Sequence, residues 1–135
     1  AVKPLTFMNN SGICIKELVE YFRINIDNIF VFHDDIDINL GRVKAKFGGG
    51  SAGHNGIESI DKNIGKNYSR IRIGIGKPAG KPEVEVPDHV LTDFVGDEKE
   101  SIRLTIQNIT DSLSILIKKE LDLFSSKVNQ KNNGI

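Results

Sequence analysis

A single cysteine, Cys14, stands in the 135 residues, so no internal disulfide can form. No cysteine–histidine pattern at zinc spacing and no secretory leader is in view. No apolar run approaches the roughly eighteen residues that a membrane helix needs. Net charge is lacking too, since 18 basic residues balance 18 acidic ones. With charged types at 27% and apolar types at 39%, the chain is no disordered polyelectrolyte. The expectation is a soluble domain of a reducing, cytoplasmic compartment, long enough to build one core. One domain over residues 1–128 and a polar, frayed tail over 129–135 are predicted.

The zero balance hides a pattern. Residues 1–41 carry three basic and six acidic groups, residues 42–82 nine and two, and residues 83–135 six and ten. A basic block between acidic ones is the footprint of a phosphate-bearing partner, or else a solvated face.

Apolar spacing gives the elements. Pro4-Leu5-Thr6-Phe7-Met8 reads as a strand, broken by Asn9-Asn10-Ser11-Gly12. Ile15, Leu18, Val19 and Phe22 fall on one helical face, with Asn10 or Ser11 as N-cap. Ile29 to Phe32 suits a strand buried on both sides, ending in His33-Asp34-Asp35-Ile36-Asp37. Arg42 to Phe47 alternates, with Val43, Ala45 and Phe47 inward and Arg42, Lys44 and Lys46 outward. A glycine-rich loop, Gly48 to Gly56, leads into a short helix carrying Ile57, Ile60 and Ile64. Arg70 to Gly76 alternates again, with Ile71, Ile73 and Ile75 inward and Arg70, Arg72 and Gly74 on the other face. Lys77 to Pro87 holds three of the four prolines and reads as a loop. Val90-Leu91 reads as a short strand, and Asp97 with Glu100 as a capping box. Ile102, Ile106, Ile109, Leu113, Leu116 and Ile117 keep helical spacing, and a further helical segment runs through Leu121, Phe124 and Val128.

Strands alternating with helices predict an α/β layered domain. Ligands in such sheets sit beyond the carboxyl ends of the strands, where Asn9, Asp34 and the glycine loop fall. Asp34 can orient an imidazole base, or simply close a strand. Asp34, Asp35 and Asp37 together could also hold a hard cation. Of the histidines, His33 points to the opposite face of its strand from Asp34. His54 in the glycine loop is a candidate base, or a residue that pins backbone carbonyls. His89 has no supporting context. Asn9 and Asn55 offer amide donors suited to an ester or peptide group, or serve as caps and turns. Lys46 and Arg72 could grip one phosphate if their strands are near, or form an exposed basic face. The glycine loop lacks the lysine–hydroxyl pair of an NTP-binding loop, which disfavours a nucleotide-binding domain.

Taken in order, Phe7-Met8-Asn9 with Ser11-Gly12, His33-Asp34-Asp35 with Asp37, Gly48-Gly49-Gly50 with Gly53-His54-Asn55-Gly56, and Arg70 to Gly76 resemble the bacterial-type peptidyl-tRNA hydrolase family. The resemblance implies a mixed, mostly parallel sheet flanked by helices. It also implies cleavage of the ester joining a peptide to the 3′ end of tRNA. In that family a histidine activates water and a carboxylate, matched by Asp34, orients it. Asn9 and Asn55 match asparagines that position the peptidyl-ester end, and Phe7 matches a residue lining the same pocket. Lys46 and Arg72 fall where the family clamps the tRNA 5′ phosphate. Neither metal nor organic cofactor is implied, and the partner is peptidyl-tRNA, met by a monomer away from membranes. The family's histidine follows a first strand that lies before the residues matching Phe7-Met8-Asn9. The expectation is therefore an N-terminally truncated hydrolase whose 135 residues alone are nearly inactive. A non-catalytic RNA-binding module on the same scaffold is the alternative.

Overall fold

The computed structural model describes residues 1–5, 7–77 and 96–132. The loop expected to Pro87 (beyond Lys77), the strand at Val90-Leu91 and His89 lie outside the described residues. A 3₁₀ turn at Met8–Asn10 leads into helix α1 (Ser11–Phe22), and a second 3₁₀ turn at Ile26–Asn28 into strand β1 (Phe30–Asp35). Strand β2 (Val43–Phe47), helix α2 (Asn55–Ile64) and strand β3 (Ser69–Gly74) follow. The last helices are α3 (Asp97–Asp111), α4 (Leu113–Ile117) and α5 (Leu121–Asn132). No helix among the described residues is long and apolar enough to cross a membrane.

The strands lie in the order β1-β3-β2. Ser69 N–H donates to Ile29 O and Ile75 N–H to Asp35 O, a constant offset that makes β1 and β3 parallel. Gly74 N–H donates to Arg42 O and Gly48 N–H to Tyr68 O, converging numbers that make β2 antiparallel to β3. The result is the α/β layering that the alternation of elements predicts, with the mixed sheet that the resemblance implies.

The chain divides into two compact units, one of residues Ala1–Val31 with Phe47–Arg70, the other of Phe32–Lys46 with Ile71–Ile135. In the first, α1 packs on α2 at Gly12. A Cβ at Gly12 would run into the Ser59 carbonyl and the Asn63 side chain, so only glycine permits this approach. Gly12 N–H also donates to Ser59 Oγ at 2.9 Å. Ile57, Ile60 and Tyr68 form the buried centre, and Ile15, Ile26, Ile29, Val31 and Ile64 pack on it. Phe22, expected on the inner face, is exposed at the end of α1, where Arg23 turns left-handed. No strand forms at the described residues of the segment expected as one, residues 4, 5, 7 and 8. Leu5 and Phe7 are 96% and 85% exposed, and no described strand pairs with the segment. An apolar run becomes a strand only against an edge that accepts its hydrogen bonds.

In the second unit α5 packs on α3 and α4. Ile109, Leu116, Phe124 and Val128 are buried, whereas Ile106 and Ile117 are exposed. The helix breaks at Ser112, which separates α3 from α4, so a count carried through the break misplaces Ile117; within α3 the buried side runs through Thr105, Asn108 and Ile109 and leaves Ile106 outside it. The inner side of α3 is instead polar, with Thr105, Asn108 and Ser112 buried. The expected capping box is also absent. Gly96 is the N-cap and Asp97 lies within the first turn, while Glu100 pairs with Arg103.

On β2, Val43 and Ala45 are buried and Lys44 and Lys46 exposed as the alternation predicts, but Phe47 is half exposed. Among the described residues β2 has β3 as its one strand neighbour, and α5 covers its other edge. Asn129 Oδ1 accepts Val43 N–H at 2.8 Å and Asn129 Nδ2 donates to Val43 O at 2.9 Å. Ala45 N–H donates to Ser125 Oγ and Asn132 Nδ2 to Gly41 O. The polar residues at 129 and 132 therefore belong to α5 and satisfy a strand edge; they are not a frayed tail. β1, expected to be buried on both sides, is only half-buried, with Phe32 exposed. It too has a single strand neighbour among the described residues.

Candidate functional site

The first unit builds a corner from the glycine loop and the start of α2. Gly48, Gly49 and Gly53 have φ of 69°, 103° and 80°, values open to glycine at no steric cost. The loop is fastened by Arg70, whose Nη1 donates to Gly50 O at 2.9 Å. Arg70 Nη2 donates to Asp61 Oδ1 at 2.8 Å, and Tyr68 Oη donates to the same oxygen at 2.7 Å. The guanidinium lies over the Tyr68 ring, 4.7 Å from its centre. Burial, and then the bond to Asp61, push the Tyr68 phenol well above its ordinary value. Alternation alone places Arg70 on a polar strand face; it is 2% exposed because α2 supplies Asp61. The available signal was that carboxylate, set among Ile57, Ile60 and Ile64.

His54 is the N-cap of α2. Its Nδ1 accepts Gly56 N–H at 3.1 Å and Ile57 N–H at 3.2 Å. The ring pins backbone amides, not the carbonyls expected. With the Nδ1 lone pair occupied, the neutral ring carries its proton on Nε2, so His54 is not poised as a base. Asn55 is the first residue of the helix. A Cβ at Gly56 would lie 2.6 Å from Met8 Sδ and 3.0 Å from His54 Cε1, so the turn Met8–Asn10 sits directly on the head of α2. Asn9 and Asn55, the neighbours of Met8 and Gly56, thus share one corner, with exposed Phe7 leading into it.

The second unit holds the acidic tip of β1. Asp34 is half-buried, and its carbonyl meets His33 Nδ1 at 2.9 Å. Asp35 is buried, and both of its carboxylate oxygens are engaged. Oδ1 accepts Asp37 N–H at 2.8 Å and Oδ2 accepts Arg72 Nε at 2.6 Å. Neighbours along a strand leave on opposite faces, so the Asp34 side chain lies across the sheet from the Asp35–Arg72 pair. Asp37 meets Lys77 at 3.4 Å on the surface. Lys46 stands exposed on β2, the strand beside β3. The register puts Lys44 directly opposite Arg72, with Lys46 two residues further on the same face. The sequence alone did not reveal that Lys44 lies so close. Among the described residues no group of three or more histidine, cysteine or acidic side chains is disposed to hold a metal.

A family model described as peptidyl-tRNA hydrolase matches residues 1–134. The peptidyl-tRNA hydrolase of Pelagibacter ubique is 64% identical over 131 residues, covering 97% of this chain and 69% of that protein. That of Aliarcobacter butzleri is 43% identical over 129 residues, 96% of this chain and 69% of its own. The crystal structure of the peptidyl-tRNA hydrolase of Acinetobacter baumannii superposes with a TM-score of 0.82 at 32% identity. This chain spans 63% of that structure and 69% of the sequence relatives.

Proposed function

The chain belongs to the peptidyl-tRNA hydrolase family, and from that premise we propose that it serves hydrolysis of the ester between a peptide and tRNA. The observation that carries this reading is the family match over nearly every residue. In the proposed reaction a water attacks the ester carbonyl while an imidazole takes its proton. The tetrahedral oxyanion collapses, the carbonyl carbon–3′ oxygen bond breaks, and the imidazolium returns its proton to that oxygen, releasing the peptide carboxylate and the tRNA 3′-terminal hydroxyl. Asp34 is the positioning residue for that imidazole, fixing its tautomer and stabilising its protonated form. What supports Asp34 is its match to the carboxylate that the resemblance implies; the Asp35 oxygens serve Arg72 and Asp37.

Neither His54, spent on the α2 cap, nor His33, bonded to a backbone carbonyl, suits the base. The base in this reading comes from residues beyond the 135. Asn9 and Asn55 present amides to the peptidyl-ester end and Phe7 lines its pocket. Lys46 and Arg72 hold the 5′ phosphate of the acceptor end. The protein acts as a monomer in the cytoplasm, needs no cofactor, and is one domain in this reading.

The test is turnover of an N-acetylated aminoacyl-tRNA by a chain extended to the relatives' full length. Asp34→Asn should lower the rate by roughly 10²–10⁴ with unchanged melting. Lys46→Ala should weaken binding of 5′-phosphorylated tRNA and spare a minimal ester. An Asp34→Asn protein as fast as its parent overturns the assignment.

A further inference from the structure

We propose that Asp35 is a positioning residue for phosphate recognition: it holds Arg72 by Nε so that the two terminal nitrogens face the RNA 5′ phosphate as a fixed fork. The inference rests on the reading of Arg72 as a phosphate ligand. Asp35 is itself fixed, being buried and tied to Asp37 N–H. It takes Arg72 at a single point, Nε, at 2.6 Å. Nη1 and Nη2 make no hydrogen bond to any described residue, and the Arg72 side chain is 25% exposed. A guanidinium gripped at Nε keeps its Nη edge for a second anion, and parallel N–H bonds from such an edge suit phosphate geometry.

Two effects oppose each other here. The Asp35 carboxylate repels a phosphate, which lowers general attraction for a polyanion. Against this, a free arginine loses considerable rotamer freedom when it binds, and Asp35 removes that loss in advance. Asp35 therefore trades raw affinity for placement. It should raise discrimination for a terminal phosphate more than affinity for RNA as such.

The experiment measures binding of an acceptor-stem minihelix bearing either a 5′ phosphate or a 5′ hydroxyl, across a salt series. Asp35→Asn should cut the preference for the phosphate about tenfold, leaving affinity for the 5′-hydroxyl RNA equal or higher. Asp35→Glu should recover part of it. Arg72→Ala should show the same loss, with no further loss in the double variant. Arg72→Lys, a substitution at a partly exposed position, keeps the charge without the fork and should lose the preference as well. Full preference in Asp35→Asn or in Arg72→Lys, with Arg72→Ala impaired, overturns the proposal while leaving Arg72 as a phosphate ligand. Full preference in Arg72→Ala removes the phosphate reading itself, and this inference with it.

Discussion

Two arginines stand two residues apart on one face of β3, and each meets a buried carboxylate. At the loop end, Arg70 is enclosed, with one terminal nitrogen on Gly50 O and the other on Asp61. At the other end, Arg72 spends among the described residues only Nε, on Asp35, and stays partly in solvent. The same residue type in the same strand register thus serves two ends. The enclosed arginine fastens a loop, and the partly open one has donors left to offer. Whether an arginine is structural or available for a ligand is decided by how many of its nitrogens the fold consumes.

The largest expected effect tests that contrast through the partners. Asp61→Ala leaves a nearly enclosed guanidinium without its counter-charge, an imbalance of about 3–5 kcal/mol. Asp35→Asn keeps an acceptor for Asp37 N–H and frees a guanidinium that water can reach, so it should cost no more than about 2 kcal/mol. Urea unfolding of both variants, read at equal slope, measures the two losses. Equal losses would erase the distinction between the two ends.

A smaller effect sharpens it through pH. The Tyr68 phenol in the loop-end cluster is raised above its ordinary value of 10.0 by burial and by Asp61. The folded state then keeps a proton that the unfolded chain releases. The stabilisation is complete below about pH 10 and is lost as pH rises from there through the folded-state value. Tyr68→Phe should lower stability by about 1 kcal/mol near neutrality through the lost hydrogen bond. It should also flatten the decline of stability above pH 10 relative to the parent. An unchanged alkaline slope would mean that the phenol does not report on this cluster.

Much of this architecture can be read in the residues before any coordinates. Apolar periodicity locates α1, α2, β2 and β3 within a residue or two, because each carries its own local period, and an unbroken apolar run locates the start of β1 but not its end at Asp35. What escapes depends on partners distant in sequence. Leu5 and Phe7 have strand composition but pair with no strand among the described residues. Ser112 breaks a helix whose stripe, counted straight through, points Ile117 inward, and within α3 the buried side runs through Thr105 and Asn108 while Ile106 faces solvent. Arg70 looks like a surface residue until α2 brings Asp61 to it. Among the candidate site residues, the resemblance singles out Asp34, but only the pairing of β1 with β3 reveals that Asp35 is committed to Arg72. The shared corner of Asn9 and Asn55 likewise depends on Met8 meeting Gly56.

The smallest expected effect lies at the second fastening of the loop end. His54 caps α2 by accepting two amide hydrogens, Gly56 N–H and Ile57 N–H. An alanine there leaves those donors to water, at about 1 kcal/mol. Asparagine or aspartate, whose side chains suit the same cap position, should restore most of the loss. If Arg70 is the dominant fastener, His54→Ala should leave the protection of the loop amides from hydrogen exchange largely intact while the first turn of α2 frays. A His54→Ala protein that loses loop protection as completely as Asp61→Ala would place the cap, and not the enclosed arginine, at the root of the loop's geometry.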